Sequence, residues 1–141
     1  MKIETEKLDI VTCLWKQYRN NEMVHKCQEY NANNIQLKIF SREVAVYTST
    51  VLIRRATILK FGGFDETLLR HQDLQFLVEA TSVAKFNVIN EYLVKLHNDS
   101  DINRPDVKKL ILYKKAFFNS TKDYFEKYDI KTKKEIKNAH Y

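Results

Sequence analysis

Lys60-Phe61-Gly62-Gly63-Phe64-Asp65-Glu66, closely followed by Arg70-His71-Gln72-Asp73, holds both glycines of a 141-residue chain. A chain this poor in glycine keeps an adjacent pair where the backbone must take positive φ or let another group come close. In a regular element each glycine costs ~0.5–1 kcal/mol relative to alanine. Aromatic residues flank the pair and acids follow it, the pattern of a turn that leads into a site. Just upstream, Arg55 to Phe61 is expected to form a short helix that Gly62 ends. Just downstream, Leu74, Leu77, Val78 and Thr81 recur at helical spacing and predict a helix over residues 73–85, with Asp73 at its start.

Farther out, Leu8 to Trp15 is β-branched and apolar and reads as a buried strand. Residues 16–34 are polar and rich in Asn, and read as irregular with one short element around Met23 to Tyr30. Residues 43–54 read as extended chain ending in a strand. Phe86 to Ile89 and Tyr92 to His97 are expected as two short strands. Pro105 suits the first turn of a helix. Behind it, apolar residues from Val107 to Tyr128 recur at three and four, which predicts one helix of about five or six turns. A break near Asp129-Ile130 leads into a further basic helix. Strands first and helices after them predict an α/β sheet piece, residues 1–103, with a helical appendix, residues 104–141.

The composition suits a folded domain, since 44% of residues are apolar and 12% aromatic,. No apolar run approaches the ~18 residues of a membrane span. The charged start, Met1 to Lys7, has no apolar signal-peptide region, so the expected location is cytoplasmic. Cys13 and Cys27 lack metal-like or redox-like spacing and read as reduced thiols. Residues 1–103 hold 13 Lys/Arg and 13 Asp/Glu, whereas residues 104–141 hold 11 and 5, so the appendix carries the whole net charge of +6. Such a tail is either a solvated lysine-rich face or a contact for an anionic surface such as lipid head groups, a polyprenyl phosphate or nucleic acid.

An acid that opens a helix lies beside unpaired N–H groups and the positive end of the dipole, which keeps it ionised. At the mouth of a pocket such a carboxylate can take a proton from a hydroxyl. The same position is also that of an ordinary helix cap. Around Asp73 the sequence crowds Gly63, Asp65, Glu66, His71 and Gln72 into a dozen positions.

Residues 62–73, GGFDETLLRHQD, resemble the acceptor-side motif of family 2 glycosyltransferases, which have the GT-A fold. In that family a strand similar to Thr48 to Arg54 precedes a short helix. A GGFDE turn follows, then a loop ending in an acid pair or Gln-Asp, then a helix. Residues 48–97 match this order without a visible gap. The resemblance implies that Asp73 is the general base. It implies that Asp65 and Glu66 lie beside the sugar pocket, with Gly63, His71 and Gln72 shaping the sugar and acceptor site. A closing strand like Glu91 to His97 makes His97 a candidate near the donor diphosphate or its divalent metal. Residues 8–15 look like the strand that follows the family's metal-binding segment.

The family's donor half, a nucleotide-binding unit with an Asp-x-Asp that holds Mg²⁺ or Mn²⁺, has no counterpart in these residues. Asp99-Ser100-Asp101 has the spacing but stands in a polar loop before Pro105, where turn and cap chemistry is expected. The chain therefore reads as the acceptor-side part of a longer enzyme, inactive as a fragment. The implied reaction moves a sugar, with inversion, from a nucleotide-sugar donor to a hydroxyl acceptor in surface polysaccharide or lipid-linked glycan synthesis. The basic tail would approach the inner membrane face, and no nucleic acid is expected. Two other readings stay open: a non-catalytic binding or assembly module with the same acceptor-side fold, and a basic nucleic-acid-binding domain. A phosphate-binding glycine loop, a G-x-S-x-G elbow and a zinc signature are all missing from the sequence.

Overall fold

Strand β1 (Ile10–Arg19) is the axis of the structure. Its first six residues, Ile10 to Trp15, are all buried, as expected of a strand covered on both faces,. The computed structural model describes residues 7–98 and 105–141. Strand β2 (Glu22–Lys26) returns antiparallel along Lys16 to Arg19, and strand β3 (Val51–Ile53) lies antiparallel to Ile10–Thr12. Strand β4 (Phe86–His97) runs parallel to β1 from Ile10 to Tyr18. The four strands form one mixed sheet in an α/β arrangement.

Two features of this sheet differ from the sequence expectation. The Asn-rich stretch after β1 is a hairpin, because Asn20 (φ 48°) and Asn21 (φ 64°) both take the left-handed conformation that a tight two-residue turn requires,. The two short strands expected over residues 86–97 are one strand. Register slips opposite Cys13, Leu14 and Trp15 absorb the polar Asn90-Glu91 interruption as a bulge,.

Helix α1 (Ile35–Phe40) has only six residues, too few to show a period, and the sequence reading passed over it. Helix α2 (Arg55–Phe61) ends as expected at Gly62, whose φ is 89° and whose N–H donates to the Ile58 carbonyl,. Helix α3 (Gln72–Val83) lays Phe76, Leu77, Val78 and Ala80 into the core.

The long helix expected behind Pro105 is in two pieces, α4 (Val107–Ser120) and α5 (Lys122–Phe125). Thr121 breaks it: φ −100°, ψ 15°, fully buried, its hydroxyl donating to the Phe117 carbonyl at 2.8 Å. Asp106, not Pro105, starts α4, accepting the Lys109 N–H at 2.9 Å,. Asp129 caps the last helix, α6 (Ile130–His140), in the same way through the Thr132 N–H at 2.8 Å.

These helices share one hydrophobic core with the sheet. Phe40 is fully buried and ringed by Phe117, Phe118, Phe125 and Tyr128. Ile10 of β1, Phe76 and Leu77 of α3 and Ile136 of α6 belong to the same cluster.

Candidate functional site

The turn between α2 and α3 is built from its own polar groups. Asp65 accepts from the Thr67 N–H at 3.0 Å and hydroxyl at 2.5 Å with one oxygen, and from Ser120 of α4 at 2.6 Å with the other. The Ser120 and Thr67 bonds hold its carboxyl below the usual range. Its own N–H donates to Gln75 Oε1 at 3.0 Å. Gly63, Asp65, Gln75, Glu79 and Ser120 line a polar cavity of about 440 Å³. Glu66 and Gln72 are exposed beside it in sequence, and Gln72 Nε2 donates to the Leu68 carbonyl at 2.6 Å.

Asp73 stands elsewhere, in the first turn of α3. It is exposed; one carboxylate oxygen accepts the Leu74 N–H at 2.9 Å, and the other has no protein partner among the described residues. With His71, Leu74, Arg42, Ile39 and Val44 to Tyr47 it lines a cavity of about 160 Å³. A larger cavity of about 410 Å³ adjoins it, sharing Arg42, Val44 and Ala45 and reaching Trp15, His25 and Tyr30. Trp15 fixes the shared wall by donating its indole N–H to the Ala45 carbonyl at 2.9 Å. The predicted site residues thus divide between two cavities, Gly63 and Asp65 at one and His71 and Asp73 at the other.

His71 and Arg42 face the Asp73 cavity from strained backbone. Both have left-handed φ, 67° and 60°, a conformation that costs a non-glycine residue ~1–3 kcal/mol and that surrounding structure must hold. The His71 ring meets Phe117 edge-on at 5.8 Å, and its Nε2 is enclosed with no hydrogen-bond partner in the protein. Burial, reinforced by the charges of Lys114 and Arg42, pushes its pKa down to about 4. His71 is therefore a neutral imidazole near pH 7.

Behind it lies a pair that the sequence reading missed. Lys114 is 4% exposed and His140 6%. The Phe40 carbonyl can only accept, so His140 Nε2 carries the proton and donates to it at 2.8 Å,. His140 Nδ1 then accepts from Lys114 Nζ at 3.1 Å. Burial, then the nearby charges of Arg42 and Arg70, lower Lys114 to about 8. His140 is lowered to about 4, chiefly by burial. No local motif announces this grouping, because the chain assembles it only when α4 and α6 close over α1.

His97 lies at the end of β4, exposed and stacked on Tyr18 at 5.6 Å, outside the Asp73 cavity. Among the described residues no three of His, Cys, Asp and Glu stand together to hold a metal ion. Asp99-Ser100-Asp101 lies outside the described residues. No helix among the described residues is long and apolar enough to cross a membrane. A scan of protein-family models finds no match to this chain, and a search of curated proteins finds none.

Proposed function

We propose that this chain forms the acceptor side of an inverting glycosyltransferase of the GT-A type. One observation carries the reading. Asp73, placed in the first turn of α3 after the strand, short helix and Gly-Gly turn, offers an exposed carboxylate to a cavity. There it takes the proton of the acceptor hydroxyl as that oxygen attacks the anomeric carbon and the nucleoside diphosphate leaves. The single displacement inverts the sugar.

A divalent ion would be held by residues of a donor-binding unit and would neutralise charge at the leaving diphosphate. In this reading the chain's part is to place the acceptor and accept the proton. His71, neutral and locked by Phe117, fits a positioning role beside Asp73.

The test is Asp73→Asn in an enzyme that carries this chain together with its donor-binding unit. Turnover of a nucleotide sugar is expected to fall by ~10²–10⁴, the range for loss of a general base, while donor affinity changes little. A variant that turns over at nearly the parent rate removes Asp73 from the mechanism.

A further inference from the structure

We propose that Arg42 and His71 hold a phosphate group, which the acceptor substrate carries, at the cavity that Asp73 also lines, with Arg70 and Lys114 supplying further positive charge nearby. This rests on the acceptor-side reading for its link to catalysis, but the phosphate site stands on its own geometry.

Arg42 and His71 form part of the cavity wall, and Arg70 is the exposed residue immediately before His71. Lys114 is buried behind His71 and within electrostatic reach of both arginines. Among the described residues neither arginine side chain makes an ion pair or hydrogen bond with the protein. Lys114 uses one of its three donors, on His140,. The cavity wall therefore carries one unneutralised guanidinium, Arg42, beside His71 with its enclosed, unpartnered imidazole nitrogen, and Arg70 and Lys114 add positive charge nearby. Burying an ammonium without a counter-charge is costly unless something compensates it. The left-handed backbone at Arg42 and His71 is held in place by the surrounding structure,.

The cavity admits such a group. A water needs only ~10–15 Å³ of accessible space, against about 160 Å³ here. Phosphate suits the donors better than a lone carboxylate, because its several oxygens can engage guanidinium and imidazole N–H groups together. Among the described residues, Asp73 is the one acid on the wall of this cavity. Its negative charge directs the phosphate to the Arg42 side and leaves the acceptor's hydroxyl facing the base.

The experiment uses the chain as it is, with inorganic phosphate and a short-chain alkyl phosphate as separate probes and chloride at matched ionic strength as control. Both probes are expected to raise the Tm and to shift the ring resonances of His71 at pH 7, with chloride doing neither. Arg42→Ala and Arg70→Ala change exposed side chains and are expected to fold. Arg42→Ala should weaken phosphate binding by about tenfold or more, the scale of a lost charge-assisted hydrogen bond, and Arg70→Ala by less, while Asp73→Asn should preserve or strengthen it. Lys114→Met should abolish the phosphate-induced rise in Tm. Equal responses to chloride and phosphate, or arginine variants that bind phosphate like the parent, overturn the site. Tighter binding of the alkyl phosphate than of inorganic phosphate favours a lipid-like carrier, and equal binding favours a small phosphorylated acceptor. Because no sugar transfer is measured, phosphate binding without transferase activity in the complete enzyme would keep the site and reject the transferase.

Discussion

Gly62 is glycine because of its backbone and not because of crowding. Its φ is 89°, yet a Cβ built there meets no atom within 4 Å. Gly62→Ala is therefore expected to cost ~1–2 kcal/mol, the left-handed penalty of an L-residue. Gly62→Asn should cost less, since Asn tolerates this conformation. Urea midpoints measure both, and an unchanged midpoint for alanine would mean that the turn relaxes to negative φ. Asp65 carries a second lesson at this scale. Its sequence neighbours point to a sugar pocket, but its carboxylate ties the turn to Ser120 of α4. A residue's motif position was readable, while its partner, 55 positions away, was not. Asp73 shows the reverse: its place at a helix start was plain from periodicity, and the cavity it opens on required the 42–47 segment to arrive beside it.

At the scale of elements, α2 was legible from the Gly62 stop, α3 from its apolar spacing, and α6 from the break near Asp129-Ile130. The helix after Pro105 was legible in its period but not in its break. Val107 to Tyr128 keeps the three-and-four spacing through Thr121, and only the demand to surround Phe40 decides that the backbone turns there. Phe117 is the hinge of that packing. It is fully buried and its ring meets those of Phe40, Phe118, His71 and His140. Phe117→Ala is expected to destabilise the fold by ~3–5 kcal/mol, the usual cost of emptying an aromatic core site. Chemical denaturation measures it, and limited proteolysis should then cut first within residues 105–141. A loss below about 1 kcal/mol, within what a volume-conserving swap costs, would show that α4 is not anchored through this ring.

For the whole molecule, two buried neutral imidazoles and one buried ammonium make stability depend on pH in a definite direction. His71 and His140 titrate at about 4 when folded, against 6.5 in an ordinary setting. Between those values the unfolded chain binds protons that the folded chain refuses, so stability is full above pH 6.5 and falls as pH drops toward 4. Asp65, held below the usual carboxylate range first by Ser120, loses its contribution only at still lower pH. Glu79, raised by burial, opposes the trend near its own range. Lys114 acts at the alkaline end: with a folded value of about 8 against 10.5, its charged burial is relieved and stability rises as pH climbs through that interval,. Urea midpoints from pH 7 to 4 are expected to fall, and His140→Gln and His71→Gln should each flatten the slope. A parent midpoint that stays level from pH 7 to 4.5 would contradict the buried, neutral imidazoles. The amino-acid sequence alone determined the α/β class, the glycine turn, the break near Asp129-Ile130 and the aspartate in the first turn of α3, because each rests on local backbone preference or on a periodic apolar face. Only the tertiary structure decided that the basic tail is partly core, that Lys114 and His140 meet beneath His71, and that the predicted site residues divide between two cavities. Those contacts join segments far apart in the chain, and no local pattern records a pairing whose energy exists only after the helices have closed over Phe40.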